Sequence, residues 1–354
     1  MKPLTTRRYV AYLSASLVVL LAILVISPGI GTQSGGIGLF DAWRAYAHDR
    51  GDPASPAYDT YWIAFHLRLP RTLLAVQVGI TLALCGAVFQ ILFRNPLATP
   101  YTLGLASGGS LGALIAIKLG LDFVLFGASA VTLAAFIGAM LVVGVIFAFT
   151  RGTRRLTTNE LLLAGVTLGL FCSGMMMLVT YLSNVRETFE IVRWMMGTLD
   201  TIGHSKTGSI LPLLIPAWTV LIILARPLNQ YLLGEELAAA RGVNVVCLQA
   251  ICILLASLAT AAVVSVCGPI GFVGLVVPHI TALIVGRDAR ILLPAAALNG
   301  GIFLAVCDWL SQLAMGWAGA ITHQNLGSTI LPSGDVTAVV GVPIFLVLLH
   351  RRTA

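Results

Sequence analysis

The sequence predicts an all-α polytopic membrane protein with about ten transmembrane helices. Three observations predict it. Hydrophobic residues fill 58% of the 354 positions and charged residues only 10%, with a mean hydropathy of +0.95. A typical soluble chain is about 45–50% apolar and about 25% charged, so a soluble domain has no way to hide this much apolar surface. Apolar runs of roughly 20 residues, the length that crosses a hydrocarbon core, recur along the chain. Basic residues crowd the short loops between alternate runs.

The first run, 9–27, follows Lys2, Arg7 and Arg8. It resembles a signal peptide, but it is long enough to span and lacks a small-x-small cleavage site, so it is read as a retained first helix. The other expected spans are 72–92, 101–119, 123–149, 160–182, 210–225, 245–267, 271–285, 292–314 and 335–350. The run 123–149 is long and must tilt or overhang. The run 271–285 is short and carries Pro278, which argues against a simple rod.

With the N-terminus inside, the inner loops hold Lys2, Arg7, Arg8, Arg94, Arg151, Arg154, Arg155, Arg226, Arg241, Arg287, Arg290, Arg351 and Arg352. The other Lys and Arg, among them Arg68, Arg71, Lys118, Arg186, Arg193 and Lys206, lie outside. The formal charge of +7 therefore marks sidedness, not a nucleic-acid surface. Outside, 28–67 is Gly/Pro-rich with Asp41, Asp49, Asp52 and Asp59 and reads as an irregular loop. In 184–209, the apolar stripe 189–196 opposes Arg186, Glu187, Glu190 and Arg193, the pattern of an interfacial or capping helix. A third outer segment is 315–334.

Gly and Pro gather in RNPLATP (94–100), GPIGFVGLVVP (268–278) and LPSGDVTAVVGVP (331–343). Backbone that leaves the helix at membrane depth must be buried in protein or line a cavity, so these clusters mark a translocation path. The first follows the second span on the inside, and the second follows the seventh on the outside. That suggests two four-helix halves of inverted topology.

The polar island 226–244 faces the inside. Glu235 and Glu236 open a short helical pattern, Arg241 closes it and Gly242 stands at the stop. A helix of about two turns is not stable alone in water, so the island is either a capped surface loop or a docking element for a soluble partner.

Several chemistries are absent. Lys206-Thr207 has the end of a phosphate loop, but Asp200 and Ser205 stand at its glycine positions. No zinc-protease or serine-hydrolase motif occurs. The six Cys lie singly, and His279 has no second ligand nearby, so no metal site, cofactor or disulfide is expected. Asp308, the clearest charge inside a span, is read first as a helix-fixing hydrogen-bond acceptor. An ion-coupled carrier ordinarily shows more intramembrane acids and bases.

An ordered set of stretches resembles one family over nearly the whole chain. They are HLRLPRTLLAVQVGITLALCGAVFQILFRNPLATPYTLGLASGGSLGA (66–113), TNELLLAGVTLG (158–169), RWMMGTLD (193–200), LGEELAAARGV (233–243), GPIGFVGLVVPHI (268–280), GRDARILLPAAALNG (286–300) and the closing TAVVGVPIFLVLL. The family is the FecCD-type permease subunits of ABC importers for iron-siderophores, haem and cobalamin. The resemblance implies one transmembrane permease domain over 1–354, with the cobalamin-importer-permease fold. It implies a homodimer or paired permease with a central pore, two cytoplasmic ATPase subunits, and a periplasmic or lipid-anchored binding protein. It places the chain in the cytoplasmic membrane of a bacterium and leaves hydrolysis to the partners. The coupling surface would be Leu233, Gly234, Glu235, Glu236, Leu237, Ala238, Arg241 and Gly242, with Ala238–Ala240 and Leu237 supplying the packing. Arg68 and Arg71, in the family's R-L-P-R-T, would receive the binding protein. Asn95, Leu97, Thr158 and Asn159 match the inner gate. The cargo most expected is an iron(III)-siderophore, with haem or cobalamin as alternatives and an ion-coupled secondary transporter as the alternative of another class. Two departures stand out. Gln312 replaces an arginine in D-x-x-x-R after Asp308, and Ile330 replaces an acid before L-P-x-G. Asp335 or His323 is the candidate to replace the lost contact.

Overall fold

In hydrocarbon a segment must satisfy its own backbone polar groups, and the chain does so almost entirely with helices. The computed structural model describes residues 6–29, 39–48, 56–125, 127–150, 158–322 and 330–353. Helix α1 (Thr6–Ile26) is followed by α2 (Leu39–His48) and α3 (Pro56–Trp62). The last runs through a π-helical turn, Ile63–Arg68, into α4 (Leu69–Leu92). Next come α5 (Leu105–Lys118), α6 (Ala130–Thr150), α7 (Thr158–Tyr181), α8 (Val185–Met195) and α9 (Ser205–Ile223). Two short helices, α10 (Ala225–Leu232) and α11 (Glu235–Ala240), lead to α12 (Val245–Cys267), α13 (Val273–Val285), α14 (Ala289–Thr322) and α15 (Ser333–Thr353).

All ten expected spans are helices, with three corrections. The segment 28–67 is not an irregular loop. Its described residues are helical: Pro28 and Gly29 close a 3-10 turn, Pro56 opens α3, and Trp43 and Tyr46 of α2 pack on Tyr61 and Phe65, which holds those helices in place. The expected span 123–149 starts only at Ala130; a two-stranded hairpin, Val124–Leu125 with Ala128–Ser129, precedes it where Gly127 turns at φ +79°. The expected span 101–119 opens as a 3-10 turn, Pro100–Leu103, and becomes α-helix after Gly104 at φ +76°. At 1.5 Å per residue, the 14 residues of α5 reach roughly 21 Å, short of a ~30 Å hydrocarbon core. The helix expected within 184–209 is α8, and Asn184 and Glu187 cap it reciprocally.

The two halves repeat one plan. A long buried helix (α4 or α12) ends in a break, and a short apolar helix (α5 or α13) follows it. The break after α4 lies at the inner end and that after α12 at the outer end, so the halves run in opposite directions.

The core lies where α4, buried along nearly its whole length, meets α12, α13 and α14. Helix α7 lies at the edge, with Leu163, Leu170 and Met177 exposed. No hydrophobic force draws helices together in lipid, so close van der Waals contact between small residues does the packing. A Cβ on Gly79 would overlap the Gly300 carbonyl, and one on Gly86 would overlap Gly274. Gly108 and Gly138 bring α5 and α6 together in the same way.

This packing predicts a position-specific cost. Gly300→Ala is expected to destabilise the protein by about 1–3 kcal/mol, the range for overpacking. Gly144→Ala, whose added methyl group meets nothing within 4 Å, is the control. Thermal unfolding in detergent checks this, and equal midpoints for the two variants would show that α4 and α14 part freely.

Candidate functional site

The three Gly/Pro clusters meet in space. Tyr101, in the segment after α4, accepts the Ile270 N–H at its hydroxyl oxygen, 3.1 Å away, in the break after α12. From α15, Gly341 lies against Phe272, so close that an added Cβ would come within 2.6 Å of the Phe272 Cβ. A cavity of about 290 Å³ opens between these segments, lined by Leu82, Leu97, Thr99, Tyr101, Ile270 and Phe272 among others. Among the described residues, the non-glycines with positive φ are Arg94 (+47°) and Phe272 (+66°). One lies in each break. A bulky residue held there costs of order 1–3 kcal/mol and persists only where the surroundings impose it.

At the inner end, α11 starts at Glu235 and Glu236 and gives way to Gly242 at φ +86°, as the sequence suggests. Leu233, Glu235, Glu236, Leu237, Arg241 and Gly242 are exposed. Gly234, at φ +130°, turns the chain into the helix. Ala238 is fully buried, so of the expected alanine surface only Ala239 and Ala240 face out. Helix α10 went unread in the sequence, although Ala225, Leu228 and Tyr231 mark its buried stripe at helical spacing.

Tyr231 is the joint of this end. Its hydroxyl lies 3.1 Å from the Leu92 carbonyl oxygen at the end of α4 and 3.0 Å from Glu235 Oε1, and it accepts from Gln249 Nε2 of α12. Arg94 Nη2 donates to the Tyr231 carbonyl, and its guanidinium sits 4.8 Å from the ring centroid. Burial raises the phenol pKa above its ordinary value, so Tyr231 stays protonated. A second link runs from Asn229 of α10 to Asp288 and the Ala289 N–H at the start of α14. Asp288 is held down to about 2, first by its hydrogen bonds from Arg290.

The gate candidates divide. Asn95 Oδ1 caps the Leu97 N–H at 3.0 Å, and Leu97 is half exposed. Thr158 and Asn159 start α7, where Asn159 is exposed. Among the described residues no hydrogen bond joins Asn159 to Asn95 or Leu97.

The outer end corrects the reading of Arg71. Its side chain does not face out. It is buried on Asp308, with Nε 3.0 Å from both carboxylate oxygens and Nη2 2.8 Å from Oδ1. Nη1 reaches Asp200 at 2.8 Å. Gln312 and Ser333 also donate to Asp308, so Gln312 and α15 close this cluster. Asp335 is exposed and takes no part, and His323 lies outside the described residues. Residues three apart share a helix face, so spacing alone does not separate 68 from 71; the carboxylates of Asp308 and Asp200 draw the Arg71 guanidinium in. Arg68 is half-buried and donates to the Pro28 carbonyl at 2.9 Å. Asp308 fixes α14 to α4 and α15, as the sequence suggests.

A buried pair loses most when one partner goes. Asp308→Ala is expected to cost about 3–5 kcal/mol by leaving the buried guanidinium only the half-exposed Asp200, and Arg71→Met with Asp308→Leu distinctly less. A thermal double-mutant cycle checks this; a double variant worse than both singles would overturn it.

A model of the FecCD transport family matches residues 18–351. An uncharacterised ABC transporter permease of Bacillus subtilis, YvrB, is 33% identical over 99% of this chain and 96% of its own length. The cobalamin import permease BtuC of Halobacterium salinarum is 38% identical over 81% of this chain and 73% of its own. The vitamin B12 import permease BtuC of Salmonella paratyphi A is 37% identical over 81% and 83%. A solved structure described as a metal-chelate type ABC transporter in an inward-facing conformation superposes with a TM-score of 0.78 at 28% identity, covering 97% of this chain and 99% of that one. With seven helices among the described residues long and apolar enough to span, three shorter apolar ones and this agreement over nearly its full length, the chain belongs to the FecCD transport family, as a permease subunit of an ABC importer.

Proposed function

We propose that this permease carries a metal chelate, an iron(III)-siderophore first, across a bacterial cytoplasmic membrane on ATP hydrolysed by two separate subunits. It works as a homodimer or paired permease, takes cargo from a periplasmic or lipid-anchored binding protein, and meets its ATPases at Leu233–Gly242. The observation that carries the coupling role is the exposure of α11 together with its attachment through Tyr231 to the end of α4. Movement of α11 would pull on α4, on the 93–104 segment and, through Asn229, on α14. That segment ends at the Tyr101–Ile270 contact, where the cavity lies. Asn95 and Leu97, with Thr158 and Asn159 across the pore, form the inner gate in this scheme. Arg68 keeps a role in receiving the binding protein; Arg71 is spent on Asp308.

A second cargo, cobalamin, is favoured by the names of the BtuC relatives. Uptake of an iron(III) hydroxamate and of cyanocobalamin, each delivered by the cognate binding protein into vesicles, separates the two. Uptake of the hydroxamate alone is expected, and uptake of cyanocobalamin alone would replace that reading.

Reversing Glu235, Glu236 and Arg241 together (Glu→Lys, Glu→Lys, Arg→Glu) is expected to cut ATP-driven uptake by about tenfold or more while the protein still inserts. Unchanged uptake would remove the docking role. Uphill uptake by the purified chain without an ATPase would remove the importer mechanism.

A further inference from the structure

We propose that the inner end carries a binding site for an anionic phospholipid of the cytoplasmic leaflet, with its phosphate held between Arg94 and Arg287. A cavity of about 300 Å³ lies between α4, α10, α13 and α14, lined by Gln90, Arg94, Leu232, His279, Leu283 and Arg287 among others. It is separate from the cavity at the helix breaks. Both arginines are exposed. Arg94 donates to a carbonyl, and among the described residues Arg287 makes no ion pair and no side-chain hydrogen bond. The neighbouring carboxylate cannot serve them: Asp288 is engaged by Arg290 at 2.8 Å and by Asn229 at 2.6 Å. Both arginines therefore line one recess, and among the described residues neither has an anionic partner.

The rest of the wall selects an amphiphile. Ile91, Leu232, Ala282 and Leu292 are apolar, and at the end of α13 Leu283 and Ile284 are exposed by 43% and 51%. The recess sits where α4 and α13 end and α14 begins, the boundary between hydrocarbon and water on the basic side of the protein. Basic pockets between helices on that side bind anionic headgroups. The volume is at the lower limit of ligand pockets, ~300–1,000 Å³, so it takes a headgroup and the first carbons of a chain, with the remainder along Leu283 and Ile284. An occupant here bridges the end of α4 to the α13–α14 turn, beside the Tyr231 joint. An acidic side chain of an ATPase subunit shares the charge but not the need for apolar walls opening on lipid.

The test uses Arg287, because Arg94 also holds Tyr231. Native mass spectrometry of the purified full chain, titrated with phosphatidylglycerol, is expected to show a bound lipid. Arg287→Gln is expected to weaken it about tenfold, and Arg287→Lys less, as for the loss of a charge-assisted hydrogen bond. Arg193→Gln, at the outer end, is expected to leave binding unchanged. Phosphatidylglycerol, but not phosphatidylcholine or inorganic phosphate, is expected to raise the thermal midpoint of the parent and not of Arg287→Gln. Equal binding by parent and Arg287→Gln would overturn the site. So would a variant that binds lipid normally but loses ATPase-subunit affinity, since the recess would then receive a protein acid. Stabilisation by inorganic phosphate as strong as by the lipid would overturn the lipid as its occupant.

Discussion

The contact on which the rest of the structure depends is the glycine-to-glycine approach of α4 and α14. Two rods that meet backbone to backbone cannot slide, because any offset drives a side chain into a space with no room for a Cβ. The fixed register has consequences at both ends. Outside, it sets Arg71 opposite Asp308, where a mismatch of one turn would strand both charges in a medium that penalises them. Inside, it sets the end of α4 and the start of α14 side by side, so α10 reaches both with Tyr231 and Asn229. A buried ion pair is weak evidence for stability, since desolvation offsets much of its attraction. Here it serves as a register mark between rods already held by packing.

Around this rigid pair the chain concentrates its irregular backbone. Broken helices at membrane depth must have protein or a cavity around them, and Tyr101 of the first break meets the Ile270 N–H of the second. The positive φ of Arg94 and Phe272 places strain at both breaks of the inverted plan. Packed interiors respond to force by switching between arrangements more readily than by bending.

Much of the architecture was legible because lipid imposes a simple rule on composition: each apolar run is a span, and basic loops give its side. What failed follows from local chemistry that composition does not encode. In 28–67, Trp43 and Tyr46 pair with residues some 15 to 22 positions on, and periodicity within either short helix does not reveal that. Arg71 lay in a motif with Arg68, so the two were given one role. Only three-dimensional register shows one of them buried on a residue 237 positions away. Helix α11 was readable from its charges and Gly242, whereas Tyr231 was not, because its partners are a main-chain carbonyl and residues from three segments. The Thr158 side chain lies outside the described residues.

The Tyr231 hydroxyl carries a constraint that bears on how α11 can act. Two acceptors, the Leu92 carbonyl and Glu235 Oε1, both lie within hydrogen-bond distance of it, yet a phenol has one proton to give. The donor from Gln249 fills the oxygen's accepting side and leaves that proton as the only variable. Tyr231 therefore donates either to the end of α4 or to α11, and the unchosen acceptor is left to water or to a partner. In the proposed coupling scheme, a docked subunit that supplied its own donor to Glu235 would free the Tyr231 proton for Leu92 and tighten the link to α4. Removal of that donor would return the hydrogen bond to Glu235. Coupling through such a joint would need no large movement of α11, only competition for one hydrogen bond beside an arginine whose backbone is already strained.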